Sequence, residues 1–144
     1  IDFSTLADVV LNLRDGSCAK IPIYDFVTHK RQGYRDEHGD YDVVIVEGIL
    51  VLTDSSLRKL FDFTIYVDTD PDLCLIRRLK RDCAERGRTA DSVIEQYLST
   101  VRPMALQYVA PSADYADYRY VEACGLDIVC KKIKSILDCK IAMR

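Results

Sequence analysis

Glycine and proline are scarce in these 144 residues, at six and four, and tryptophan is absent. No G-x-x-x-x-G-K-[S/T] occurs, nor any other glycine-rich loop that could cradle phosphates with backbone N–H groups. The six cysteines (Cys18, Cys74, Cys83, Cys124, Cys130 and Cys139) form no C-x-x-C pair and no Cys/His cluster. That argues against a zinc module and against a disulfide framework. The expectation is reduced intracellular thiols packed as small hydrophobes. The longest apolar candidate, Val43–Val46, stops at Glu47, far short of the ~18 residues a membrane helix needs. No repeat, low-complexity stretch, linker or signal-peptide pattern is present. Nor is there a basic excess. The net charge is −3, so the whole molecule does not attract polyanions, and neither nucleic acid nor membrane is an expected partner. A phosphate-bearing ligand must therefore meet a local basic patch. The first residue is Ile1 rather than Met, and the expectation is a piece of something longer.

What is there is an ordinary globular composition, 49% apolar and 30% charged. A chain of this length is one domain's worth, burying roughly two-thirds of its unfolded surface. Leu6, Val9, Val10 and Leu13 recur at helical spacing, with Ser4 or Thr5 able to cap the start and Gly16 placed to end it. Ala19–Tyr24 reads as extended, and Thr28–Asp40 as a loop or twisted hairpin. Tyr41–Val46 is the strongest strand pattern, an unbroken run suited to a strand covered on both faces. A short helix at Ser55–Leu60 and a strand at Phe63–Val67 follow. Pro71 opens a long helix through Glu85 that Gly87 ends. Asp91 or Ser92 should cap a helix to about Val109, kinked at Pro103. A strand near Tyr118–Val121 leads into a helix over about Leu126–Lys140. Strands alternating with helices indicate an α/β layered domain.

Three places carry chemistry. Glu47 closes the run Val43-Val-Ile-Val, and ligands of open α/β sheets bind outside such strand ends. An acid there holds Mg²⁺ in phosphate-transfer proteins, although a strand simply ending in a solvated Glu has the same pattern. At the end of the second apolar strand, capping the next helix is the simpler role for Asp70. Arg77, Arg78, Lys80, Arg81, Arg86 and Arg88 place six positive charges within twelve residues. A solvated basic face, a nucleic-acid contact and a mobile phosphate clamp hinged at Gly87 all fit that pattern. The acidic whole disfavours the second, and the glycine favours the third. Ile21-Pro-Ile-Tyr24-Asp-Phe26-Val-Thr-His29 feeds rings and an imidazole into a loop, either to stack a flat heterocycle or to pack in the core.

Taken in order, Ile21–His29, Asp42-Val-Val-Ile-Val-Glu-Gly-Ile-Leu50, Leu60–Asp70, Arg77-Arg-Leu-Lys-Arg-Asp82, Glu85-Arg-Gly-Arg88 and Glu95-Gln-Tyr97 resemble the uridine–cytidine kinase family. The likeness extends over about residues 1–117. It implies a P-loop kinase-like α/β fold, three layers around a parallel sheet and truncated at the N-terminus. Residues 1–144 would be a single partial domain with a lid at about 71–90. The implied enzyme transfers the γ-phosphate of ATP to the 5′-hydroxyl of uridine or cytidine in pyrimidine salvage.

By position, Tyr24, Phe26 and His29 would line the pyrimidine pocket, and Arg78, Arg88 and Gln96 would hold the nucleoside. Arg81 and Arg86 would be lid arginines on the nucleotide phosphates, and Glu47 the acid near Mg²⁺, directly or through water. The resemblance also implies ATP or GTP as donor, Mg²⁺ with the nucleotide, a homotetramer and a cytoplasmic location. The family's phosphate loop, its proton-accepting aspartate and its ribose-gripping aspartate precede the residue matching Ile1, so this chain alone is expected to be inactive. Two alternatives stand beside that reading. A P-loop-less pseudokinase would act as a nucleoside-binding or regulatory subunit, a reading supported by the acidic Ser112–Asp117 segment. A related kinase would take another acceptor, as phosphoribulokinase does.

Overall fold

The computed structural model describes residues 1–25, 28, 30–121 and 126–141. It is a mixed α/β structure made of two compact units, Ile1–Asp62 and Phe63–Arg144.

The first unit opens with α1 (Phe3–Arg14), which the apolar periodicity anticipates. Its cap is Asp2 rather than Ser4 or Thr5: the carboxylate accepts from both the N–H and the hydroxyl of Thr5, at 3.0 and 2.7 Å. Gly16 ends the helix at φ +68°, a left-handed conformation natural to glycine. Strands β1 (Ala19–Asp25) and β2 (Lys30–Glu37) form an antiparallel hairpin, so Thr28–Asp40 is neither a loop nor a hairpin of its own: it supplies one strand, paired back to the extended Ala19–Asp25. Ile23 pairs with Gly33 but Tyr24 pairs with Arg31, leaving Gln32 as the extra residue of a bulge. Ala19 is fully buried, and with Val10, Leu52 and Leu57 it makes the unit's small core. The short helix α2 (Ser55–Arg58) starts at Asp54, whose carboxylate accepts from the N–H groups of Ser56 and Leu57.

Tyr41–Val46, the strongest strand pattern in the sequence, forms no strand. A run of that type is stable only when neighbours complete its ladder and cover its faces. None of the described strands pairs with it, and Val43, Val44 and Ile45 are 48, 39 and 86% exposed.

In the second unit, β3 (Ile65–Asp68) and β4 (Tyr118–Val121) pair in parallel, Ile65 opposite Tyr118 and Asp68 opposite Val121. Asp117 locks their start. Its Oδ2 accepts from the Thr64 N–H (2.8 Å) and hydroxyl (2.7 Å), while the Asp117 N–H donates to Thr64 Oγ1 (2.9 Å). Thr64→Val keeps the shape, removes the hydroxyl and should lower stability by about 1–2 kcal/mol. The shift of the urea midpoint measures it, and an unchanged midpoint would show that the lock contributes nothing.

Helix α3 (Pro71–Glu85) has the expected bounds, with proline in its first turn. Asp70 occupies the cap position but its side chain makes no capping bond, contrary to expectation. Asp68 pairs across the ladder with Arg119 at 2.8 Å. The next helix, α4 (Ala90–Gln96), is capped by Thr89, two and three residues before the expected Asp91 or Ser92; Thr89 Oγ1 accepts from the Ser92 N–H. Pro103, lacking an N–H, cannot sustain the regular ladder. Wide π-type turns at Tyr97–Val101 and Ala105–Val109 flank a short α5 (Arg102–Met104), and a 3₁₀ segment at Ala110–Tyr115 follows. The last helix is α6 (Leu126–Ile141).

Among the described residues no helix is long and apolar enough to cross a membrane. Cys18, Cys74, Cys83, Cys130 and Cys139 are unpaired and exposed, so these five are not packed as small hydrophobes; Cys124 lies outside the described residues. The described core is too small to cover them, consisting of six buried apolar residues.

Candidate active site

The basic segment is organised by an acid. Asp82, on α3, is 2% exposed and faces four guanidiniums. Arg78 Nε donates to Oδ2 at 3.3 Å, and Arg81 donates to Oδ1 from Nε at 3.0 Å, with its Nη2 2.9 Å from the same oxygen in an ion pair. Arg86 and Arg88 approach at 3.5 and 3.9 Å. Helical spacing accounts for two of the four, since Arg78 and Arg86 lie one turn before and after Asp82. Arg88 needs a reversal of the chain, which Gly87 supplies at φ +62°. There the Arg88 N–H folds back to the Asp82 carbonyl at 3.2 Å. Burial pushes the Asp82 carboxyl up, but the hydrogen bonds from Arg81 and Arg78 and the charges of Arg81 and Arg86 outweigh it. They hold the carboxyl below its ordinary range.

A second convergence lies beside it. Gln96, at the end of α4, accepts on Oε1 from both Arg78 Nη2 and Arg88 Nη1, each at 2.5 Å. Arg88 Nη2 also donates to the carbonyl and hydroxyl of Ser92, at 3.1 and 2.8 Å. Arg78, Arg88 and Gln96, separated by up to eighteen positions, thus meet at one point. Arg81 and Arg86 stand next to them on Asp82, about half exposed at 46 and 52%. Guanidiniums placed this way can exchange a protein oxygen for a hydroxyl or phosphate oxygen of a ligand. Asp82 is not among the site residues expected from the sequence. Its signal was the arginine spacing on either side, which marks an acid that gathers cations.

In the first unit, Tyr24 lines a cleft of about 620 Å³ with Ile21, Pro22, Arg31 and residues of α1. Asp25 organises the hairpin tip, accepting from the Thr28 N–H and hydroxyl and from Gln32 Nε2. Phe26 and His29 lie outside the described residues. Glu47 is exposed, in irregular chain after the unpaired Val43–Val46 run. Mg²⁺ takes one or two carboxylates together with phosphate oxygens and retained waters, and a single open carboxylate fits that donor set.

The family model described as "Phosphoribulokinase / Uridine kinase family" matches residues 1–139. The chain belongs to that family. Among its relatives is a protein named uridine kinase from Geobacillus kaustophilus, 50% identical over 126 residues, which are 85% of this chain and 60% of the relative. The Proteus mirabilis protein of that name is 49% identical over 81% of this chain and 55% of its own length. The one from Lactococcus lactis subsp. cremoris is 51% identical over 88% of this chain and 63% of its own. This chain therefore spans roughly three-fifths of the length of these relatives.

Proposed function

We propose that this chain carries the nucleoside-holding and lid parts of a kinase that moves the γ-phosphate of ATP or GTP to the 5′-hydroxyl of uridine or cytidine. The observation that supports the reading best is the meeting of Arg78 and Arg88 on Gln96 beside Arg81 and Arg86. In this proposal Arg78, Arg88 and Gln96 bind the nucleoside, and Tyr24, Phe26 and His29 line the pyrimidine, with His29 at its polar edge. Residues 71–90 form the lid of one partial domain of the three-layer P-loop kinase kind, and Arg81 and Arg86 neutralise charge on the nucleotide phosphates. Glu47 holds Mg²⁺ directly or through water; the ion, when bound, neutralises phosphate charge. Such transfer needs positioning and charge neutralisation more than covalent help. A cytoplasmic homotetramer working in pyrimidine salvage completes the proposal, whose reaction is the one the relatives' shared name, uridine kinase, supports.

These 144 residues contain no phosphate loop, so phosphotransfer by them alone should stay near background. Lack of a general base alone commonly costs ~10²–10⁴-fold. Calorimetric titration of this chain with uridine tests the assignment. Uridine should bind, and His29→Ala and Arg88→Ala should each weaken it at least about tenfold, each removing a hydrogen-bonding group from the ligand. Absence of uridine binding, or unchanged affinity in both variants, would overturn the pocket.

A further inference from the structure

We propose that Cys18, Asp36 and His38 form a binding site for a zinc-class divalent ion at the open end of the β1–β2 hairpin. The sequence shows no Cys/His cluster because eighteen and twenty positions separate Cys18 from the other two. The hairpin register removes that distance. Ala19 pairs with Glu37 and Lys20 with Asp36, so Cys18 and His38 are the next residues beyond the last pair, at the same end of the ladder. Alternation along the strands then puts residues 18, 36 and 38 on one face.

The candidate ligand atoms, one from each side chain, all lie within 4.8 Å of one another. Tetrahedral zinc with these ligand types sets donors ~3.3–3.8 Å apart. Small rotations of three exposed side chains close that gap. The donor set is one sulfur, one nitrogen and one oxygen. Thiolate and carboxylate would balance the two charges of the ion, and the fourth position stays open. A cleft of about 400 Å³ adjoins Cys18, with Asp8 and Asn12 of α1 on its wall, giving room for a water or a further oxygen ligand. Soft thiolate and imidazole favour Zn²⁺ or Co²⁺ and reject Mg²⁺, so this site is separate from any role of Glu47.

One feature opposes the ion. Lys20 Nζ lies 3.3 Å from Asp36 Oδ1 on the same face. Both side chains are well exposed, so the pair is weak and the ammonium can swing into solvent.

Zn²⁺ titrated into the full chain, with Co²⁺ as the optical probe, tests the site. One equivalent should bind, Co²⁺ should show a thiolate charge-transfer band, and excess Mg²⁺ should displace neither. Cys18→Ser should abolish the band. Cys18→Ser and His38→Ala should each weaken Zn²⁺ by about 10²-fold or more, since outer-shell changes alone cost 10–100-fold. Lys20→Ala should tighten binding several-fold by removing the opposing charge. All these side chains are exposed, so the variants should keep the far-ultraviolet circular dichroism of the unchanged chain. Absence of stoichiometric Zn²⁺ binding, or Zn²⁺ affinity that Cys18→Ser and His38→Ala leave unchanged, would overturn the proposal.

Discussion

Asp82→Ala should destabilise the chain by about 1–2 kcal/mol and loosen four arginines at once. Removing one partner of a buried ion pair costs ~3–5 kcal/mol where the survivor stays buried. Here Arg81 and Arg86 are 46 and 52% exposed and regain solvation when the acid is gone, while Arg78 and Arg88, at 20 and 29%, keep Gln96 as a partner, so the smaller figure applies. The dependence on pH has a definite sign. The Asp82 carboxyl is held below its ordinary value of 3.8 in the folded chain. Folding therefore favours the ionised form. The contribution is complete above the ordinary carboxylate range and disappears as pH falls through the lower folded value. Urea midpoints of the unchanged chain and of Asp82→Asn should lie apart at neutral pH and draw together in acid. A constant gap across the acid range would show that the carboxylate charge is not what holds the arginines.

Residues governed by local rules were legible in the sequence. Pro71 and Gly87 bracket α3 because each acts through its own backbone, and the bounds at Pro71 and Glu85 follow. The strands expected at Phe63–Val67 and near Tyr118–Val121 are found at Ile65–Asp68 and Tyr118–Val121, although which strand pairs with which was not readable. Tyr41–Val46 failed for the opposite reason. Its apolar run describes what a strand needs from neighbours, and no described strand supplies it. The caps slipped by a few residues because Asp2, Thr89, Ser4 and Asp91 all have side chains of capping chemistry. In the site, Arg78, Arg88 and Gln96 were named from the resemblance, and their meeting required a helix, a left-handed glycine and a second helix to act together. Asp82 was missed because an acid inside a basic run reads as charge balance. Only in three dimensions is it the centre of the arrangement. The Cys18–Asp36–His38 face was invisible for the same reason, since register, not spacing, brings it together.

Arg81→Ala is expected to act on turnover rather than on nucleoside binding. With these residues joined in one polypeptide to a phosphate-binding loop, kcat should fall by about 10²–10³-fold while uridine affinity changes less than about threefold. An arginine that reaches the transferring phosphoryl group is worth ~10³–10⁵ in other phosphotransferases. The lower range applies because Arg86 stands on the same carboxylate and can take part of the charge. The contacts of the two proposed groups differ. Arg78 and Arg88 face Asp82 and are also bound to Gln96, whereas Arg81 bonds Asp82 and is about half open to solvent. Arg81→Lys distinguishes charge from shape: a lysine restores a positive charge but not the fork that holds Asp82 while reaching a phosphate. Partial rescue by lysine would mark charge neutralisation as the larger effect. If Arg81→Ala leaves kcat unchanged, or lowers it only in proportion to lost uridine affinity, Arg81 is no lid arginine and serves only to hold Asp82.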